Sequence, residues 1–404
     1  MLTLRLAWRN VWRNPRRSFV VVTAVAVGVA GVILTMAVNY GMVVQMVETA
    51  IITELGHIQV HAQGFEEKPE ISVRLEDGGR QVIQALDAAV DVRAYSRRIR
   101  GEGLVSSPRA SAGVRVWGVE PGRESQISLV SRSITDGRYL GAELRRIVLG
   151  EELASRLKVG VGDKVVLSVQ ELSGDLTGEA LRVGGLFKSP SSELDRGSVF
   201  IRLEEAQGLF GLGDAVSEVV VLATSRANIE PLRVALDGET GDAEVKSWED
   251  LQPVLVYFVE VFDQMAIAVY VAVFVAMAFG IANVLMMAVY DRMREIGILL
   301  SIGMSRSRLV VMIVVESVLI TLVGVNAGFV ISLLSVYALR DGIDLSAFSE
   351  GLAYFGVGSR ILPVVRATDF VIPTFVALVT ALISSAWPAL RAVRFRPADA
   401  IRRV

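Results

Sequence analysis

Two histidines, His57 and His61, are the only imidazoles in a chain of 404 residues, and they stand four apart. On a helix that spacing puts both on one face, where they could chelate a metal ion. The surrounding HIQVHAQG reads as a strand instead, and residues four apart on a strand lie about 13 Å from each other. Cysteine is absent, which removes disulfides, thiolate chemistry and cysteine metal sites. The nearest thing to a phosphate loop, GVGDKV at 160–165, lacks both the spacing and the Lys-Ser/Thr ending. No GxSxG, HExxH or calcium-loop pattern occurs, and the carboxylates are dispersed with no acid/base pair singled out. No catalytic or metal residue is assigned. One carboxylate stands out by its surroundings. Glu316 lies inside the apolar run 309–339, roughly 10 Å from its start at helical rise. A carboxylate in lipid is a functional candidate. A proton relay would want a second ionisable group in the spans, and none is present, so the expected role is an anchor paired with an arginine of 291–308.

These residues must be held by elements that cross a membrane. The chain is 52% apolar yet 21% charged, which fits a membrane protein with a large water-soluble part. A span needs roughly 20 mostly apolar residues. Four stretches qualify: 19–38, 265–290, 309–339 and 370–390. Arginine placement orients them. Residues 1–18 carry five Arg and no acid, 291–308 four Arg against two acids, and 391–404 five Arg against one, whereas 48–263 carries 24 basic and 35 acidic residues. The Arg-rich pieces therefore share the inner side, with both termini, and the acidic segment lies outside. Net charge is −2 and gives no indication of a nucleic-acid partner.

The boundaries follow. Residues 1–18 form an amphipathic interfacial helix with Leu4, Trp8 and Val11 on one face. The first span and its stalk take 19–47. An external domain of mixed strands and helices takes 48–247, with a β-rich insertion at about 145–205 and a hairpin loop at 171–180. From Trp248 one long helix runs as stalk and second span to 290. Residues 309–339 are the third span, 340–369 an external loop, 370–390 the fourth span and 391–404 an inner tail.

Between the second and third spans lies DRMREIGILLSIGMSRSRL, 291–309. Ile296, Leu299, Leu300 and Gly303 fall at i, i+3, i+4 and i+7, one face of a short helix, and Gly303 is placed to cap its end. An apolar stripe outside the bilayer calls for a protein partner.

Three stretches carry a family resemblance. YDRMREIGILLSIGMSRSRLVVMIVVES is similar to the signature of MacB/FtsX-type ABC transporter permeases, through Arg292, Arg294, Glu295, Ile296, Gly297, Gly303 and Glu316, with Asp291 where many members have Glu. AWRNVWRNPRRSFVVVTAVAVGVA resembles the family's first-span entry, and WPALRAVRFRPADAIR its closing motif, with Ile401 at a Leu position. The order and spacing match over the whole chain. GHIQVHAQGFEE, LGEELASRLKVGVGDKVVL and GIDLSAFSEG resemble the lipoprotein-releasing members most closely.

The resemblance implies an α-helical membrane protein of the type VII-like ABC class, with four transmembrane helices, a large mixed α+β periplasmic domain and a place in a bacterial inner membrane. It implies a coupling helix at 291–308, with Ile296, Leu299 and Leu300 seated in a groove of a separate ATPase subunit and Arg292, Arg294 and Glu295 in charge contacts around it. ATP and Mg would be held by that ATPase, with no cofactor in this chain. A second permease subunit, a periplasmic carrier or adaptor, and lipids are the other implied partners. Cargo would be a lipoprotein taken from the outer leaflet, along Val38, Met42, Met46, Val261, Met265 and Ile267. The alternatives are a MacB-like efflux system and an FtsX-like transducer that activates a periplasmic hydrolase.

Overall fold

The computed structural model describes Arg9, Arg13 and residues 15–68, 70–348, 351, 358 and 360–393. Most of the amphipathic segment 1–18, residues 394–404 of the tail and part of the 340–369 loop lie outside them. Among the described residues, four helices are long and apolar enough to cross a membrane: Ser18–Leu55, Pro253–Asp291, Arg306–Ala338 and Thr368–Ala392. By internal contacts the chain divides into two units. One holds Met1–Val43, Val259–Asp344 and Arg360–Val404, the other Val44–Phe258 and Leu345–Ser359.

In the first unit, helices meet through small side chains and branched aliphatics. Val21, Val25, Val29 and Ile33 pack with Phe274, Met277, Ile281, Ile320 and Ala377. Gly324 and Gly328 form a small-xxx-small stripe that lets backbones approach closely in lipid. A Cβ on Gly324 would lie 2.7 Å from the Val25 Cβ, and one on Gly328 would lie 2.9 Å from the Ala26 carbonyl oxygen. The second contact is with backbone and cannot swing away. Gly328→Val is therefore expected to cost about 1–3 kcal/mol by overpacking, seen as a lower thermal midpoint of the detergent-solubilised protein. An unchanged midpoint would contradict this packing. Residues just before the last long helix cross the first one: Val364 N–H donates to the Ala37 carbonyl at 2.9 Å, and the Arg366 guanidinium lies 4.2 Å from the Tyr40 ring centre.

The second unit is built on a ten-stranded sheet, ordered β10-β1-β9-β2-β3-β8-β5-β7-β4, with β6 pairing β2 and β7. The strands are β1 Ile58–His61, β2 Val92–Ser106, β3 Ser111–Val119, β4 Ile134–Gly137, β5 Arg146–Gly150, β6 Lys164–Gln170, β7 Leu176–Phe187, β8 Ser198–Arg202, β9 Glu218–Ala223 and β10 Glu244–Ser247. Pairing is antiparallel except for β3 with β8 and β5 with β7. The segment expected as an inserted β-rich piece is continuous with this sheet. Because β6 returns to β2, strands β2-β3-β8-β5-β7-β6 close a ring. Val105, Val116, Ile147, Leu149, Leu167, Val183 and Val199 are buried in one core. The turn between β6 and β7 is shorter than the 171–180 expected, since β7 already begins at Leu176, paired with Gln170.

The second long helix is interrupted where the sequence suggested continuity. Trp248–Leu251 is a separate turn, closed at its start by a capping box between Ser247 and Asp250, and Gln252 sits at φ −130°, ψ 66°. Pro253 is the cause: its ring disfavours the helical conformation of the residue before it.

Candidate functional site

The helix expected between the second and third spans is present as Met293–Ser301. Its end is a Schellman turn. Gly303 N–H donates to Leu300 O at 3.2 Å and Met304 N–H to Leu299 O at 3.0 Å. Gly303 adopts φ +98°, a conformation that costs glycine little.

The structure turns this helix differently from the expectation. Ile296 is buried in a cluster with Val289, Leu309, Met312, Ile313 and Ala389, and Leu299, Leu300 and Met304 pack against it. Gly297 is buried as well. The stripe that was to seat in a partner is used to bind the helix to its own chain. The physical reason is proximity: the ends of the flanking long helices supply an apolar bed that an exposed stripe would otherwise leave wet. The outward face carries Arg294, Ile298, Ser301 and Ile302, and Ile302 is 79% exposed.

Charges are divided between the two sides. Arg292 also points inward, correcting its expected place in a partner contact. Its Nη1 donates to both Glu316 carboxylate oxygens, at 3.1 and 3.2 Å, and both residues are buried. This is the arginine that Glu316 was expected to find in 291–308. Glu295 is exposed and accepts from Arg13 Nη2 in a surface ion pair, a kind worth little by itself. Between these two pairs lies a cavity of about 340 Å³ lined by Leu285, Ala288, Ile296, Leu299, Met312 and Ile313 among others.

Of the residues offered as cargo-facing, Val38, Met42 and Val261 are half-buried. Met265 and Ile267 are exposed at 58% and 62%. Met46 is buried, and it lines a cavity of about 900 Å³ together with Arg156, Glu193, Arg196, Val254, Leu255 and Phe258.

The histidines are structural. His57 Nδ1 accepts the Ala223 N–H at 3.0 Å. His61, fully buried on β1, has Nε2 3.2 Å from Gln59 Oε1. Burial pushes its pKa down to about 4, with Lys246 and Arg100 adding to the effect. The folded domain therefore binds fewer protons here than the unfolded chain between about pH 6.5 and 4, and stability falls as pH drops through that window. The loss should reach about 3 kcal/mol at the acid end, read from denaturation midpoints, and His61→Gln should flatten the slope. Equal slopes in both proteins would refute it.

Arg98 is a buried functional candidate that no motif in the sequence singles out. It is buried on β2, its Nε and Nη2 donating to the Glu124 carboxylate at 3.0 and 2.7 Å. Its position inside a strand with Arg93, Arg97 and Arg100 was the available signal: four arginines in eight residues of a buried strand require partners.

Comparison with known proteins places these features. The MacB-like periplasmic core domain family matches residues 18–238. The FtsX-like permease C-terminal family matches residues 267–397, the stretch that holds the Arg292–Glu316 pair and the helix between them. The chain belongs to the MacB/FtsX-type permease family. This permease is 25% identical over 396 residues to the lipoprotein-releasing system transmembrane protein LolC of Xylella fastidiosa strain 9a5c, covering 94% of this chain and 92% of that protein. It is 24% identical to the macrolide export ATP-binding/permease protein MacB of Chlorobaculum tepidum, over 98% of this chain and 60% of that one. Among solved structures, the extracellular domain of the ABC-type transporter YknZ from Gram-positive bacteria aligns whole to 48% of the permease, at 14% identity and a TM-score of 0.35. By the two family matches and the likeness to LolC, the permease is an ABC transporter membrane protein with a large domain of the MacB periplasmic type and, among the described residues, four helices apolar enough to cross a membrane.

Proposed function

We propose that this permease is the membrane subunit of a transporter that lifts lipoproteins out of the outer leaflet of a bacterial inner membrane. Hydrolysis of ATP, held with Mg on a separate ATPase subunit, drives the movement. The observation that carries the reading is the end-to-end likeness to LolC, which spans both the domain and all four helices. In this reading two permease subunits pair, with termini and the helix 293–301 on the cytoplasmic side and the large domain in the periplasm. The outward face of that helix meets the ATPase. Cargo acyl chains lie along Met265 and Ile267, where flexible side chains suit varied partners, and a periplasmic carrier receives the protein.

Topology is tested with reporter fusions. Fusions after residue 150 are expected to report the periplasm and fusions near 300 the cytoplasm, and a cytoplasmic reading at 150 would overturn the scheme. Cargo is tested by mass spectrometry of the complex purified in detergent. Acylated proteins should accompany the nucleotide-free complex and leave on addition of ATP. Met265→Asp puts a carboxylate against an acyl chain at a cost of several kcal/mol, so retention should fall at least about tenfold.

A second reading is export of a small amphiphile, favoured by the MacB-like match over residues 18–238. A complex that carries no acylated protein in any nucleotide state yet exports such a molecule would replace the first reading with this one. Activation of a periplasmic hydrolase would replace it with a transducer.

A further inference from the structure

The first long helix does not simply end at the sheet. It widens out of α-helical geometry into a π turn, Ile51–Leu55, closed by Gly56 N–H donating to Ile51 O at 2.8 Å. π turns inside helices cluster at functional sites. A helix end leaves its last carbonyls without partners and carries partial negative charge. Here the sheet domain supplies the missing donors one by one. Leu129 N–H reaches Ile52 O at 2.7 Å. Arg98 Nη1 reaches Glu54 O at 2.5 Å. Gln59 Nε2 reaches Leu55 O at 2.9 Å. The Glu54 side chain is held in turn by Arg115 Nη1 at 2.8 Å.

Arg98 is the centre of this joint. Its side chain is 2% exposed. The guanidinium is fixed in three directions: two bonds to Glu124, the helix carbonyl at Glu54, and Glu218 at 3.5 Å on the neighbouring strand. The Trp117 ring lies 5.6 Å away. A planar, bidentate guanidinium holds an angle as well as a distance. The second long helix enters differently, its start broken at Gln252.

We propose that Arg98 is the positioning residue that fixes the end of the first membrane helix to the β-sheet, so that helix movement is delivered to the domain as one piece. This rests on the transport reading above. Arg98 touches neither cargo nor nucleotide; it acts by keeping the helix end and strands β2 and β9 in one geometry.

The chain contains no cysteine, so label pairs can be introduced without background. Spin labels at Glu48→Cys on the helix and Glu102→Cys on β2, both exposed sites, report across the joint in the full complex with its ATPase. The distance distribution should be narrow and the same in nucleotide-free and ATP-trapped complexes. With Arg98→Gln and Glu124→Gln together, which removes both members of the bidentate pair, the distribution should broaden. Cargo released per ATP should fall about fivefold while ATP hydrolysis continues, and Arg98→Lys should recover part of the loss. A distance that shifts between nucleotide states in the otherwise unsubstituted protein overturns the proposal without need of any variant. So does a double variant that releases cargo per ATP as well as the parent. A parent complex that releases no lipoprotein sinks the transport reading but leaves the distance test of Arg98 standing.

Discussion

Arg292→Ala is expected to remove most of the folded permease from the membrane. The substitution leaves the Glu316 carboxylate buried, with the Arg292 Nη1 that sat 3.1 and 3.2 Å from its oxygens gone. Removing one partner of a buried ion pair costs about 3–5 kcal/mol, because the other charge stays behind in a medium that solvates it poorly. That approaches the whole stability of many domains. Glu316→Gln with Arg292→Met should be far milder, since it removes both charges and keeps the volume. The comparison is made on detergent-extracted protein by thermal midpoint and by the yield of monodisperse material. If Arg292→Ala matches the parent in both, the pair does not anchor the helix at 293–301 to the third membrane helix.

Ile302→Asp should leave the permease folded and abolish capture of its ATPase. Ile302 is 79% exposed and Ile298 44%, so a carboxylate at either site meets water in the isolated subunit. In a complex it would be carried into an apolar groove with nothing to pair it, at a cost of several kcal/mol. A loss of about 4 kcal/mol is roughly a thousandfold in affinity. Leu299→Asp and Leu300→Asp test something else, because those side chains pack inward with Ile296 and their loss should lower stability first. The measurement is ATPase recovered per permease in a pull-down. Full recovery with both Ile298→Asp and Ile302→Asp would remove the outward face from the coupling site.

The membrane helices were legible because lipid imposes a length and a composition that no other constraint mimics. The short helix at 293–301 was legible from its apolar spacing and from Gly303. Which way it faces was not. A stripe at i, i+3, i+4 and i+7 says that one side is to be covered, but not whether by the same chain or by another. No local pattern marks residues 92–106 as a strand, because arginines, glycines and Glu102 break the alternation that would. The structure explains the composition. Arg97 and Arg98 find Glu120 and Glu124 on the turn and helix after β3, contacts between residues far enough apart in sequence that no local pattern records them. The break at Gln252 was legible from Pro253, yet the apolar character of the following residues concealed it.

The strap before the last membrane helix has a consequence for how the protein is made. Val364 N–H is bonded to Ala37 O, and Arg366 covers Tyr40. Ala37 leaves the ribosome near the start of synthesis and Val364 near its end, so the first helix must wait in the bilayer while almost the whole chain is translated. A chain cut short anywhere before the strap leaves the first helix without that tie.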